Sequence, residues 1–236
     1  MNFFNDLIEA KFIKRYKRFL SEHKLVTGEK VLAHCPNTGP MLGLLKSCSK
    51  TFLSKSNNKN RKLKYTWELI IIDGQLIGIN TLNANKIFYD SLLAKKVKKF
   101  SKYNNIYKEV KYGKNCRIDF KLENKRKKNI WIEVKSVTLS RIKHIAEFPD
   151  TITHRGTKQL EQLESVINKG DKVYIIYLIQ RENINYFKIA KDIDPKYYNV
   201  CMQNKSLGME ILAFKCNLSK KAIDIDIDNK VKIIYE

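Results

Sequence analysis

The chain has 236 residues, 43% of them hydrophobic, and its 46 basic and 24 acidic side chains give a formal net charge of +22. This length is enough for one large domain or two small ones. No stretch approaches the ~20 consecutive apolar residues of a membrane span, and the first residues do not have the pattern of a secretory signal. The sequence therefore predicts a cytoplasmic protein that does not enter a membrane.

The net charge and the cysteine pattern limit the functions that the protein could have. The five cysteines are widely spaced, odd in number and free of any C-x-x-C pair, which argues against a disulfide framework and a thiolate zinc site. The basic excess indicates an anionic partner such as nucleic acid. Because 38 of the 46 basic residues are Lys, the bias of an AT-rich genome is an alternative source of the charge.

The first 80 residues alternate short apolar runs with turn residues, a pattern typical of β-strands. Asp73-Gly74, between two apolar runs, is a strong hairpin signal. About five short strands predict a small β-barrel of the OB type, although a generic antiparallel sheet fits nearly as well. The predicted strands are Lys11–Leu20, Glu29–His34, Lys50–Lys55, Thr66–Ile72 and Gln75–Asn80.

Residues 81–236 mix strands with helices, which predicts a second, mixed-sheet α/β domain after the domain of residues 1–80. Apolar spacing predicts a helix over 82–98, capped by Asn80 or Thr81. A basic hairpin tip, Lys125-Arg126-Lys127-Lys128, joins two of the strands. The remaining predicted elements are strands Ile106–Tyr112, Cys116–Leu122, Ile130–Leu139, Lys172–Gln180 and Glu210–Cys216, and helices Thr153–Asn168 and Tyr197–Lys205.

Two neighbouring strands carry charged side chains in apolar surroundings, Asp119 on one and Glu133-Val134-Lys135 on the other. Side chains alternate along a strand, so Glu133 and Lys135 share a face, and a hairpin would bring Asp119 beside them. Two carboxylates and an ammonium suit Mg²⁺ or Mn²⁺ together with a phosphate. Asp119, Glu133 and the Val134 carbonyl would hold the metal. An exposed strand with a Glu–Lys pair is the alternative.

Further candidates lie on the flanking elements. Glu109, one strand upstream, could help to hold the metal. Arg155, Lys158 and Gln159, in the first turns of the helix that follows, could grip a scissile phosphate or could equally face solvent.

In the first domain, Arg15-Tyr16-Lys17-Arg18 alternates basic and aromatic groups, which suits a single-stranded nucleic acid. Asn37 and Thr38 lie in a turn whose amides could contact a phosphate or a base. His34 and Cys35 point to opposite faces of a strand, which disfavours a metal pair. Trp67 and Trp131 are expected in the core.

The chain resembles the sugar fermentation stimulation protein A family from near residue 11 to about residue 216. The segments that carry the resemblance are Arg15–Phe19, His34–Met41, Thr66–Leu69, Asn80–Asn85, Glu109–Gly113, Arg117–Phe120, Ile132–Leu139, Phe148–Asp150 and Arg155–Gly156.

The resemblance implies an N-terminal OB-fold domain and a C-terminal domain of the PD-(D/E)xK nuclease class. It also implies binding of DNA, with RNA as a further candidate. It places Asp119, Glu133 and Lys135 on the nuclease motif and Glu109 on the preceding acidic position. It also places Arg155 and Lys158 on basic positions of the following helix. His154, where relatives tend to have an acidic residue, and Gln159, where His is familiar, depart from the family pattern.

Two functions remain open. The leading one is a metal-dependent nuclease, and the alternative is a non-catalytic DNA-binding regulator of sugar (maltose) metabolism genes on a nuclease-like scaffold. Carboxylates repel phosphate unless a cation intervenes, which favours the nuclease. The sequence gives no indication of the oligomeric state.

Overall fold

The computed structural model describes residues 1–114, 116–125, 127–229 and 231–235. Arg126 of the predicted basic hairpin tip lies outside the described residues. The described chain forms an N-terminal β-barrel followed by a mixed-sheet α/β unit, which confirms the predicted fold class.

The barrel strands are β1 (Ile8–Tyr16), β2 (Leu20–Leu25), β3 (Lys30–His34), β4 (Lys50–Lys55), β5 (Tyr65–Ile72) and β6 (Gln75–Gly78). They are ordered β3-β2-β1-β4-β5-β6. A parallel pairing of β3 with β5 closes the first five strands into a barrel, and β6 extends the sheet from β5. Closure removes the exposed edges that an open sheet would present.

Two tight hairpins organise the barrel. Asp73 (φ 48°) and Gly74 (φ 75°) turn β5 into β6, as the Asp-Gly signal predicts for a type I′ turn. The predicted strand Lys11–Leu20 is wrong, because Lys17 (φ 50°) and Arg18 (φ 60°) form a turn between β1 and β2. Neither residue is among those that usually mark such turns, so the pattern did not reveal it.

The barrel core contains Phe12 and Trp67, whose rings stack with centroids 4.8 Å apart. His23 lies edge-on to the Trp67 ring and is fully buried. Its two ring nitrogens lie 3.0 Å from the Thr51 hydroxyl and 2.9 Å from the Ser21 hydroxyl, so its polar atoms are satisfied inside the barrel.

The elements of the second unit are α1 (Asn83–Leu93), β7 (Asn105–Tyr112), β8 (Cys116–Asn124), β9 (Lys127–Val137), β10 (Leu139–Ile142), β11 (Ile145–Phe148), α2 (His154–Asn168), β12 (Lys172–Ile179), β13 (Tyr186–Ile189), α3 (Pro195–Ser206), β14 (Glu210–Leu218), β15 (Ile223–Ile225) and β16 (Lys232–Ile234). The main sheet runs in the order β15-β14-β12-β9-β8-β7, with β9, β12 and β14 parallel. A smaller sheet, ordered β10-β11-β13-β16, was not predicted.

The main sheet is covered on both faces, which explains the continuous apolar run of β12. Ile176 and Leu178 lie in the core with α1, whereas Ile175 and Tyr177 lie in the core with α2 and α3. This alternation follows from the period of two along a strand.

Helix α1 is shorter than the predicted 82–98. It ends at Leu93, and Lys95 has a positive φ of 52°. Val97 and Phe100 are nevertheless buried in the same core as α1, so the apolar spacing continues through a segment that is not helical. The cap prediction is also wrong, since Leu82 occupies the N-cap and Asn80 Oδ1 accepts a bond from the Leu82 amide before the helix begins.

Thr153 caps α2, because its hydroxyl accepts a hydrogen bond from the Gly156 amide. This bond satisfies one of the free N–H groups of the first turn. It fixes the start of α2 at the end of the sheet where β9 carries its charged residues.

The barrel and the α/β unit are joined through β6. The Gly78 amide donates to the Gln180 carbonyl at 2.8 Å, and the Leu76 amide donates to the Glu182 carboxylate at 2.7 Å. At Gly78 a Cβ atom would lie 2.7 Å from the Gln180 side chain, so glycine permits this close approach.

Candidate active site at the junction of the two units

Glu133 and Lys135 lie on the same face of β9, as the strand period predicts. Lys135 Nζ donates to Glu133 Oε1 at 2.7 Å and to Gln159 Oε1 of α2 at 2.9 Å. The intervening Val134 packs into the opposite core with α1. The ammonium is thus held between a strand and a helix, and 13% of the Lys135 side chain is exposed.

Asp119 projects from β8 toward β9. Its Oδ2 accepts a 2.7 Å hydrogen bond from the Val134 amide, and its Oδ1 accepts a 2.6 Å bond from the Asn85 side-chain amide on α1. Burial, followed by repulsion from the Glu133 carboxylate, raises the pKa of Asp119 to about 7. Two carboxylates therefore share a space in which their charges repel.

Glu133 provides the strongest sign that a cation belongs here. It is 3% exposed, and within the described chain its Oε2 is buried without a hydrogen-bond partner. An orphaned carboxylate oxygen beside a second carboxylate is costly unless a positive ion neutralises it. Oxygen donors of this kind are the ligands that Mg²⁺ and Mn²⁺ prefer, so the residues fit a hard divalent cation.

Glu109 lies on β7, between the strand pairs Lys108–Phe120 and Val110–Ile118, and hence opposite Asp119. Its φ of 53° is unusual for a non-glycine residue. Glu109 is exposed, and no group of three or more His, Cys, Asp or Glu side chains among the described residues is arranged to hold a metal ion. Glu109 nevertheless lines the same cleft as Asp119 and Glu133.

The start of α2 supplies polar groups to the same place. Arg155 and Gln159 both line the cleft above β9. Gln159 is buried, whereas His154 and Lys158 are exposed and do not line the cleft. The structure therefore brings Arg155 and Gln159, but not Lys158, to the cleft that holds the carboxylates.

These groups open into a cleft of about 430 Å³ between the barrel and the α/β unit. The barrel contributes the loop that follows β3, with Asn37, Thr38 and Gly39. The two units therefore build a single cleft, a feature that the strand pattern could not predict. Its lining includes Glu109, Asp119, Glu133, Val134, Lys135, Arg155 and Gln159.

Arg15, in the basic cluster of the barrel that is predicted to bind nucleic acid, makes contacts within the protein. Arg15 Nη2 donates to the Asn37 carbonyl at 2.6 Å and to the Arg18 carbonyl at 2.6 Å. Lys17 and Arg18 occupy the β1–β2 turn, and none of the four residues, Tyr16 included, lines the cleft. Arg15 thus supports the cleft loop from behind.

Cys35 and Trp67 are buried, as the sequence predicts, whereas Trp131 lies only partly in the core. Cys35 is fully buried, whereas His34 is partly exposed. Trp67 is fully buried in the barrel. Trp131 is partly exposed and donates its indole N–H to Asp171 at 2.8 Å.

Sequence reasoning missed several lining residues. Asn85, which contacts Asp119, carried a signal because it lies in the segment Asn80–Asn85 of the family resemblance. Others come from loops and strands whose approach depends on the tertiary fold. They are Thr81, Leu82, Arg117, Glu147, Phe148, Asp150 and Thr153.

Comparison with known proteins gives the family of this chain. The model described as the sugar fermentation stimulation protein RE domain matches residues 82–222, and that described as the SfsA N-terminal OB domain matches residues 13–79. The chain belongs to the sugar fermentation stimulation protein family. The first match includes every cleft residue of the α/β unit except Thr81.

Relatives match over almost the full length. A sugar fermentation stimulation protein homolog of Pelagibacter ubique is 45% identical over 99% of both chains. A homolog of Pseudoalteromonas atlantica is 42% identical over 96% of this chain and 97% of the relative. The solved structure of Pyrococcus furiosus SfsA in complex with Ca²⁺ has a TM-score of 0.88 at 22% identity, covering 100% of this chain and 98% of that chain. This likeness supports the fold.

No helix in the described part of the chain combines the length and the apolar character needed to cross a membrane.

Proposed function

We propose that the chain is a divalent-metal-dependent nuclease that hydrolyses phosphodiester bonds in DNA. The observation that carries the proposal is the buried, unpartnered Oε2 of Glu133 in a cleft that also holds Asp119 and Lys135. A cation there would satisfy both carboxylates and would allow a phosphate to approach them.

Asp119, Glu133 and the Val134 carbonyl would hold Mg²⁺ or Mn²⁺. Such an ion supplies Lewis-acid polarisation of the phosphate and lowers the pKa of bound water. The Pyrococcus furiosus relative is described in complex with Ca²⁺, which is in keeping with a hard divalent ion here.

The chain's own residues would divide the remaining tasks. Lys135, held by Glu133 and Gln159, presents a positive charge that can orient the attacking water and stabilise the charge that develops on the phosphate. Arg155, on the cleft wall, is placed to bind a phosphate oxygen. Asn85 and the Val134 amide hold Asp119 in position.

The proposal is tested by incubating the purified protein with end-labelled DNA and RNA in Mg²⁺, Mn²⁺ or EDTA. Wild type should cut with metal and not with EDTA, and Asp119→Asn should lower the rate at least about 100-fold. Asp6→Asn, at an exposed position outside the cleft, is the matched control and should cut normally. If wild type leaves every substrate intact, the nuclease proposal fails.

A DNA-binding regulator on the same scaffold is the second candidate. It is favoured because no three His, Cys, Asp or Glu side chains among the described residues are arranged to hold a metal ion. A pure binder should hold DNA equally well with Mg²⁺ or EDTA, and Asp119→Asn should not alter its affinity. A metal site instead predicts that both changes shift the affinity.

A further inference from the structure

The cleft is walled from several sides of the molecule. One wall is the barrel loop of residues 37–39, and others come from the start of α1, the start of α2 and the residues that follow β9. Its volume of about 430 Å³ lies toward the small end of the ~300–1,000 Å³ typical of sites that enclose one small molecule. The carboxylates therefore lie on the floor of a cleft whose walls come from both units.

The barrel wall is held in place by specific contacts. The Pro36 carbonyl accepts a 2.7 Å bond from the Thr81 hydroxyl, and the Asn37 carbonyl accepts a 2.6 Å bond from Arg15. A Cβ atom on Gly39 would lie 2.2 Å from the Asp150 carboxylate. The loop is thus packed against the α/β unit and is not a free lid.

The reacting groups lie deep in this space. Glu133 is 3% exposed, and 13% of the Lys135 side chain is exposed. In a duplex, the phosphates lie on the outside, and the paired bases and the second strand lie directly behind them. Walls that are fixed on several sides of the cleft leave no room for the second strand, whereas a single strand can pass between them.

An apolar side chain is exposed at the cleft. Leu82, directly before α1, lines the cleft and is 71% exposed. A single exposed leucine is common on protein surfaces, but at this position Leu82 can contact the apolar face of an unpaired base. Phe148, partly exposed, also lines the cleft.

We propose that this site accepts a single unpaired strand, and not intact duplex, with Leu82 contacting a base of that strand. The inference rests on the proposed nuclease function. It adds the class of substrate: the site accepts unpaired tails and single strands and rejects paired regions.

Cleavage is compared on three labelled DNAs of one sequence in Mn²⁺: a single strand, a blunt hairpin duplex, and a duplex with a single-stranded tail. The single strand should be cut about 100-fold faster than the blunt duplex or more, because a paired nucleotide must first be unpaired to enter. Cuts in the tailed substrate should lie in the tail and stop at the junction.

Leu82→Ala should lower kcat/KM on the single strand about tenfold, the scale of one lost base contact. Leu93→Ala is the matched control, because Leu93 is 57% exposed at the other end of α1 and outside the cleft. Thermal unfolding of both variants should be close to that of wild type, which excludes a folding defect as the cause.

Binding of the same DNAs to Asp119→Asn, followed by fluorescence anisotropy, separates this inference from the nuclease proposal. Equal cutting of duplex and single strand would overturn the inference and leave the nuclease proposal intact. If nothing is cut, the nuclease proposal fails and binding decides the inference. Tighter binding of the single strand, weakened by Leu82→Ala, supports it, and equal affinity for duplex overturns it.

Discussion

The side-chain amide of Asn85 lies 2.6 Å from Oδ1 of Asp119, so helix α1 fixes the orientation of a carboxylate carried by the opposite strand β8. The Val134 amide holds the other oxygen at 2.7 Å. Each Asp119 oxygen keeps a free lone pair, since a carboxylate oxygen can accept two bonds. The two hydrogen bonds therefore hold Asp119 in position and leave a lone pair on each of its oxygens available to a ligand.

Asn85→Ala should weaken Mn²⁺ binding and nuclease activity by about tenfold or more, the usual effect of removing a group that orients a metal ligand. Calorimetric titration with Mn²⁺ measures the affinity directly. Asn57→Ala, at an exposed position of the barrel, serves as the control. Unchanged Mn²⁺ affinity in Asn85→Ala would contradict a positioning role.

Lys135→Ala should lower the cleavage rate at least about 100-fold, because it removes the positive charge beside the reacting phosphate. Metal binding should be retained, since the substitution leaves both carboxylates and removes a cation that repels the metal. The measurement pairs single-turnover cleavage with Mn²⁺ titration, and exposed Lys143→Ala is the control. A variant that loses metal binding and keeps its rate would refute this assignment.

Gly39→Ala should destabilise the protein by about 1–3 kcal/mol, because the new Cβ would lie 2.2 Å from the Asp150 carboxylate. It should also reduce cleavage by displacing the cleft wall. Urea unfolding gives the change in stability. Adding Asp150→Ala to Gly39→Ala should recover part of the loss, and strictly additive effects of the two changes would argue against the contact.

His23 should make the barrel sensitive to acid. Burial lowers the pKa of His23 from its usual 6.5 to about 4, so below pH 6.5 the unfolded chain binds a proton that the folded chain does not. Stability is full above pH 6.5 and falls as the pH drops toward 4, by up to about 3 kcal/mol.

The test follows the difference in unfolding free energy between wild type and His23→Gln from pH 7 to 4. A difference is needed because Asp119, whose pKa is raised to about 7, makes stability rise as the pH falls in this window. The advantage of wild type should shrink toward pH 4. A constant difference would show that His23 does not titrate in this way.

The local sequence pattern was enough to predict part of the fold and part of the site. The period of two along β9 predicts that Glu133 and Lys135 share a face, and the Asp73-Gly74 pair predicts its hairpin. Both depend on residues that are neighbours in sequence. The family resemblance added the identity of the nuclease motif, including the acidic position of Glu109.

Other parts depend on contacts between distant residues and could not be predicted from a pattern. The approach of Asn85 to Asp119 requires α1 to pack against β8 and β9. The bond from the Arg15 guanidinium to the Asn37 carbonyl joins residues 22 positions apart, so the local basic and aromatic pattern could not predict it. The end of α1 was misplaced because buried side chains continue beyond the helix.

The bond between the Thr81 hydroxyl and the Pro36 carbonyl spans the boundary between the two segments that the family models treat separately. One segment contributes the floor of the cleft and the other a wall, so neither contains a complete site. In evolutionary terms, another small β-barrel could not simply replace this one. A replacement would also have to reproduce the loop after β3 and its fit against Asp150, which ties the inheritance of the two segments together.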